Sequence, residues 1–116
     1  MADNYAVSLR AFKQHPEAAI PVERIAGKLL LVCGEQDEIS PSCPMSRQIQ
    51  ERLIAHGRPE ATLVVYKEAG HRAFGVPLPP DHPRLTGGDA IAKSLNLVLA
   101  DSWKQALAFL GAHLGK

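Results

Sequence analysis

Two residues of this chain stand where an acid and a base would be useful. Asp37 lies three residues beyond Gly34, directly after the apolar run 29–33. His71 closes the turn Glu68-Ala69-Gly70-His71, which follows a second apolar run at 61–66. A carboxylate after a buried strand can accept a hydrogen bond from an imidazole Nδ1–H and fix the ring's tautomer. Nε2 is then left to take a proton from a nucleophile. Neighbouring parallel strands lie about 5 Å apart, so loops leaving two of them can bring Asp37 and His71 together. The blander readings are that Asp37 caps its own turn and that His71 is a surface histidine. Glu38 is a second carboxylate, displaced by one residue.

The third member of such a constellation, a nucleophile, lacks a motif. Neither G-x-S-x-G nor G-x-C-x-G occurs, so no strained strand-to-helix elbow presents a serine or cysteine. Ser40, Ser42, Cys43 and Ser46 follow Asp37 too closely and on the wrong side of it. Cys33 ends an apolar run and reads as packing, while Ser94 and Ser102 belong to a helical pattern. The other histidines, His15, His56, His82 and His113, sit beside prolines, at a helix end or on a terminal helix. None has metal-ligand spacing with a third ligand nearby, so no metal and no cofactor are expected. Gly87-Gly88 lacks the lysine and spacing of a phosphate loop.

The elements that must hold Asp37 and His71 are legible from patterning. Residues 29–33 show no polar alternation, which predicts a parallel strand (about 28–33) buried on both faces. Ser42 is a candidate N-cap and Pro44 suits a first turn. Met45, Ile49, Leu53 and Ile54 then form one apolar stripe, predicting a helix over about 44–56. Gly57 is placed to end it in a left-handed conformation, with Pro59 beyond. Ala61-Thr62-Leu63-Val64-Val65-Tyr66 is rich in β-branched residues and predicts the second strand. Strand, helix and strand within residues 29–66 make one right-handed βαβ unit.

Outside that unit, Tyr5, Leu9 and Phe12 recur at helical spacing over 5–14, and residues 20–25 form an extended or turn-like approach. Pro77, Pro79, Pro80 and Pro83 argue against a helix or central strand in 72–86. Asp89 is the candidate N-cap of a long helix, about 89–113. Its three- and four-residue spacing runs through Ile91, Leu95, Val98, Leu99, Ser102, Trp103, Ala106, Phe109, Leu110 and Leu114.

The bulk numbers exclude several classes of function. A chain of 116 residues, 46% hydrophobic and 22% charged, supports one α/β domain with a modest core. A net charge of +1 gives no electrostatic case for nucleic acid. No apolar stretch reaches the length of a membrane span. The first residues lack the basic and apolar regions of a signal peptide. Cys33 and Cys43 lack zinc or redox spacing, so a reducing cytoplasm with both thiols free is expected.

Several segments together resemble a known family. Ile20-Pro21-Val22-Glu23-Arg24-Ile25-Ala26-Gly27, the run 29–33 and Gly34-x-x-Asp37-x-x-x-Pro41-Ser42 resemble the acid segment of the acyl-CoA thioesterase and bile acid-CoA:amino acid N-acyltransferase family. Ala69-Gly70-His71 is similar to its histidine segment. The Pro-rich stretch 76–83, Gly87-Gly88, Asp101-Ser102-Trp103-Lys104, Phe109-Leu110 and His113-Leu114 resemble its closing loop and last helix. Position 40 is serine where the family commonly has tryptophan. Gly-x-x-Asp and Gly-His are also shared with dienelactone hydrolases and other esterases.

The resemblance covers residues 20–116 and implies the C-terminal fragment of an α/β-hydrolase, with 1–116 as a single partial domain lacking the nucleophile half. The order acid, then histidine fits the α/β-hydrolase order nucleophile, acid, histidine. Asp37 would orient His71, the general base, in a Ser/Cys-His-Asp triad acting on acyl-CoA thioesters in fatty acid metabolism. Acyl-CoA is then the substrate of the complete enzyme, and this chain alone would lack triad-based turnover. The partner expectations are a homodimer or a nucleophile-bearing chain. A competing reading is a non-catalytic interaction module descended from the same fold, or a dienelactone hydrolase-like fragment. Whether Asp37 and His71 touch discriminates between the enzyme and module readings.

Overall fold

The computed structural model describes residues 7, 8, 10, 11 and 13–114. The helix expected over 5–14 rests on Tyr5, Leu9 and Phe12, which lie outside the described residues. From His15 onward the chain makes two single 3-10 turns, Pro16–Ala18 and Val22–Arg24. Strand β1 follows (Leu30–Gly34), then helix α1 (Ser42–Ala55), strand β2 (Thr62–Tyr66), one short helical turn α2 (Pro83–Thr86) and the long helix α3 (Ala90–Leu114). The two strands run parallel and in register from Leu30 opposite Thr62 to Gly34 opposite Tyr66. This is the βαβ unit expected from residues 29–66, and it makes the chain an α/β fragment.

The strand is less enclosed than its apolar composition implies. Only Cys33 and Gly34 of β1 are buried, while Leu30, Leu31 and Val32 are half-buried. Alternate residues face opposite ways on a strand. Leu29 and Leu31 pack with Ile49 around Val22, Leu53 and Ala61, and Cys33 reaches α1 on the same side. Leu30 and Val32 therefore point to the other face.

Helix α1 shows how its ends were read and misread. Pro41, not Ser42, occupies the N-cap, and no side chain caps the helix there. Ser42 has already entered the helix, and its hydroxyl donates to Gly34 O at 3.4 Å. The buried face runs through Cys43, Ser46 and Leu53, with Ile49 and Gln50 half-buried between them. Met45 and Ile54 of the expected stripe are instead exposed. The helix is rotated because Cys43 is bonded to the strand. The C-terminal end is as expected: Gly57 has φ 66°. Its amide donates to Ile54 O at 3.0 Å and the Arg58 amide to Leu53 O at 2.9 Å. That hydrogen-bond pair is the Schellman arrangement. Arg52 forks onto Glu23 at 2.5 and 2.7 Å and ties α1 to the approach segment.

The Pro-rich stretch contains a helical turn that its prolines argued against. Pro83 takes the first helical position of α2, where a missing N–H costs nothing. The His82 ring accepts from the Arg84 amide at 3.3 Å. Asp89 caps α3 as expected, its Oδ1 accepting from the Ala92 amide at 2.9 Å. Ala92, Leu99, Ser102 and Ala106 form the buried face of α3. Asn96 clasps the loop before it, accepting from the Leu78 amide at 2.6 Å and donating to Leu78 O at 3.3 Å. Phe74 packs against Trp103 with ring centroids 6.0 Å apart. Among the described residues, no helix is long and apolar enough to cross a membrane.

Candidate functional site

The site lies where both strands end. β1 delivers its chain into the turn 35–40, and β2 delivers its chain into 67–71. The two loops touch backbone to backbone. Glu35 N–H donates to Tyr66 O at 3.1 Å and Gln36 N–H to Ala69 O at 3.0 Å. Gly34 makes this approach possible, because a Cβ there would overlap the carbonyl oxygens of Ala69 and Gly70. The close-approach glycine is thus Gly34. Gly70 does not have positive φ, and a Cβ on it would make only ordinary contact with Gln36 O.

Asp37 is held by its own turn. Its Oδ1 accepts from the amides of Ile39 at 3.0 Å and Ser40 at 2.9 Å, and its Oδ2 accepts from the Ser40 hydroxyl at 3.3 Å. An Asp that bonds amides two and three residues ahead is an Asx-type turn. The bland reading of Asp37 as a turn cap is therefore correct, and it is also what fixes the carboxylate in place. The side chain is 3% exposed.

His71 meets that carboxylate. Its Nδ1 lies 3.2 Å from Oδ1 and 3.1 Å from Oδ2 of Asp37. Burial pushes the Asp37 carboxyl up, but hydrogen bonds from the Ser40 amide, the His71 ring, the Ser42 hydroxyl and the Ile39 amide outweigh it and hold it down to about 2. At neutral pH the carboxylate is ionised and can only accept, so Nδ1 must be the donor. In the neutral ring, Nε2 then carries the lone pair. The imidazole is half exposed, so a buried carboxylate backs a ring that solvent can reach.

The remaining sequence candidates are engaged elsewhere. His15 pairs with Glu17 at 3.0 Å, and His56 Nε2 lies 4.0 Å from Glu23. His82 caps α2, and the His113 ring lies 4.6 Å from that of Phe109. Ser102 is fully buried and donates to Leu99 O at 3.1 Å. Cys33 and Cys43 are joined in a disulfide, with Cα atoms 5.1 Å apart. This overturns the expectation of two free thiols. The penultimate residue of β1 and a residue in the first turn of α1 face each other across the acid loop, at a normal disulfide separation. Among the described residues, no three His, Cys, Asp or Glu side chains gather in a metal-binding group.

Two cavities lie apart from the pair. One of about 200 Å³ is lined by residues 25–29 with Arg58, Pro59 and Glu60, at the opposite end of the strands. A more apolar groove of about 600 Å³ lies between residues 18–22 and the outer face of α1, with Met45 and Ile49 in its wall.

An acid and a histidine on adjacent strand-end loops occur in many hydrolases, and the family follows from comparison with known proteins. Over residues 1–116 the chain matches the family described as BAAT / Acyl-CoA thioester hydrolase C terminal. The chain belongs to this family. It is 32% identical over 110 residues to acyl-coenzyme A amino acid N-acyltransferase 2 of Rattus norvegicus, covering 86% of this chain and 26% of that protein. It is 31% identical over 109 residues to the peroxisomal succinyl-coenzyme A thioesterase of Mus musculus, covering 83% and 24%. Against acyl-coenzyme A thioesterase 1 of Homo sapiens it is 31% identical over 105 residues, again covering 83% and 24%. The chain thus spans about a quarter of the length of these relatives. No solved structure matches it. The family confirms the resemblance read from the acid, histidine and last-helix segments.

What sequence reasoning missed are the parts that hold the pair. In the sequence, Ser40 is considered as a nucleophile and as a departure from the family's tryptophan, yet its amide and hydroxyl both hold Asp37. Gly34 enters the sequence reading only through its spacing to Asp37, and Asn96 does not enter it. The Asp-x-x-Ser spacing was the available signal, since it is the pattern of a side-chain-capped turn.

Proposed function

We propose that this chain supplies the acid and the base of a Ser/Cys-His-Asp triad that hydrolyses or transfers the acyl group of acyl-CoA thioesters. Residues 1–116 are then one partial α/β-hydrolase domain, and the nucleophile comes from a polypeptide segment this chain does not contain. One observation carries the reading: a buried, ionised Asp37 with both oxygens within 3.2 Å of His71 Nδ1, each residue on the loop leaving one of two paired parallel strands.

The chemistry runs as follows. His71 Nε2 removes the proton from the nucleophile as it attacks the thioester carbonyl. Asp37 holds the ring's tautomer and stabilises the imidazolium that forms. The imidazolium then returns the proton to the leaving CoA sulfur. Water, or an amine acceptor in the transferase variant, repeats the cycle on the acyl-enzyme. Both activities occur in the names of the relatives, and the proposed acid–base pair would serve either.

The test is complementation. The portion of human acyl-coenzyme A thioesterase 1 that precedes its matched quarter is joined to this chain, and CoA release is followed from acyl-CoAs of several chain lengths. Turnover is expected from the joined protein and not from the chain alone. His71→Ala should reduce it at least about a thousand-fold, the scale of losing a triad member. Turnover unaffected by His71→Ala would overturn the assignment.

The second reading, an interaction module without chemistry, has one observation in its favour. A two-stranded sheet leaves an unpaired edge on each strand, and such edges pair with other chains. Under that reading, a strand-donating partner binds equally well to the native chain and to His71→Ala.

A further inference from the structure

The Cys33–Cys43 bond brackets the loop that carries the acid. Cys33 is the penultimate residue of β1, Cys43 lies in the first turn of α1, and Asp37 sits between them, with the bond spanning ten residues. Both cysteines are 1% exposed. Besides that bond, the start of the loop is tied to α1 by an exposed ion pair, the Arg47 guanidinium donating to Glu35 Oε1 at 3.0 Å, which water screens. The Asp37 amide reaches Gly34 O at 3.3 Å and the Ser42 hydroxyl reaches the same oxygen at 3.4 Å, both near the long limit of a hydrogen bond. The stronger bonds, from Ile39 and Ser40 to Asp37, are internal to the turn and do not join its two ends.

We infer that the Cys33–Cys43 disulfide is a redox-sensitive clamp that positions Asp37 against His71, so that reduction releases the acid loop and uncouples the acid from the base. The inference rests on the acid–base reading above. Cys33 and Cys43 act through Asp37 and touch no reactant, so they are positioning residues.

The redox step balances with a dithiol as reductant. One thiolate of the dithiol attacks a protein sulfur, the Cys33–Cys43 bond breaks, and a mixed disulfide forms. The second thiol of the reductant displaces the protein sulfur and closes its own disulfide. Two electrons and two protons pass from the dithiol to Cys33 and Cys43. Because both sulfurs are buried, attack requires the loop to open first, and the rate of reduction reports that opening. Once the bond is gone, the loop's freedom grows by the entropy the cross-link had removed, which for ten residues corresponds to an opening equilibrium up to about a hundred-fold more favourable.

The experiment uses the 116-residue chain labelled for NMR, with and without dithiothreitol, and counts thiols at each stage. Three readouts are taken together: amide exchange at Ile39 and Ser40, the pH titration of the Asp37 carboxyl, and exchange at Val64 and Leu99 as a control for the rest of the fold. In the reduced protein, exchange at Ile39 and Ser40 should quicken up to about a hundred-fold. Asp37 should titrate closer to an ordinary carboxylate, and the control amides should keep their protection. A Cys33→Ala/Cys43→Ala variant should reproduce the reduced state.

Unchanged exchange and titration with two thiols counted would overturn the clamp. So would loss of protection at the control amides, which makes the bond a staple for the whole fold. A bond that resists the dithiol until the chain is denatured, or one that never forms, overturns it equally. None of these readouts measures turnover. A released Asp37 in a protein that never supports thioester hydrolysis would sink the proposed function and leave the clamp standing. An unmoved Asp37 would sink the clamp alone.

Discussion

Replacing Asp37 with asparagine isolates the charge while keeping the shape. In Asp37→Asn the side-chain oxygen can still accept from the Ile39 and Ser40 amides, but an NH2 now faces His71 Nδ1 and the Ser40 hydroxyl. The magnitude follows from linkage. The folded state holds the carboxyl at about 2 against an ordinary 3.8. At ~1.4 kcal/mol per pH unit, that difference gives ~2 kcal/mol of stability in the ionised form. The half-exposed imidazole side of the pair is partly screened by water, which brings the expected figure to ~1–2 kcal/mol. Because the folded value is depressed, this stability is fully present above about pH 4 and is lost as pH falls through about 2. Urea unfolding of the native chain and Asp37→Asn measures it directly. At pH 7 the variant should be ~1–2 kcal/mol less stable, and the gap should shrink between pH 4 and pH 2. Equal stability at pH 7 would refute the reasoning, as would a gap that stays constant into acid.

Other perturbations test the parts that hold the pair. Gly34→Ala forces a Cβ into the carbonyls of Ala69 and Gly70, so the strand-end loops must part. A loss of about 3 kcal/mol or more in the same unfolding assay is expected, with the Asp37 contact to His71 lost from NMR spectra. Gly57→Ala places a side chain at φ 66° and should cost about 1 kcal/mol, read as a lower thermal midpoint with an unchanged Asp37 titration. Asn96→Ala removes both bonds to Leu78 and should speed limited proteolysis within residues 72–82 several-fold, while cleavage elsewhere is unchanged.

Some of this molecule is written locally and some is not. The strands, the end of α1 at Gly57 and the start of α3 at Asp89 follow from signals a few residues long, and the structure places them as expected. The acid and the histidine could be named because strand-end loops converge at one edge of a parallel sheet. The rotation of α1 was not legible. It depends on Cys43 meeting Cys33 across the loop, which neither residue's local sequence specifies. The same long-range contact overturned the free thiols. The exposure of Leu30, Leu31 and Val32 was hidden for another reason: an apolar run reports what a strand prefers to bury, not how much cover one quarter of a relative's length provides. The turn at Pro83 was misread by counting prolines rather than asking which helical position each would take. Gly34 and Ser40 were invisible as site residues because their role is to fit two loops together, and only the other loop reveals it.

In the proposed function Asp37 orients His71 so that Nε2 is the basic nitrogen. The most direct measurement is the tautomer of His71, read from imidazole nitrogen shifts at a pH well above the ordinary histidine range. A free neutral imidazole side chain favours the proton on Nε2. The opposite is expected for His71: the proton on Nδ1, shared with Asp37, and a bare Nε2, with the preference lost in Asp37→Asn. A proton on Nε2 in the native chain would contradict it.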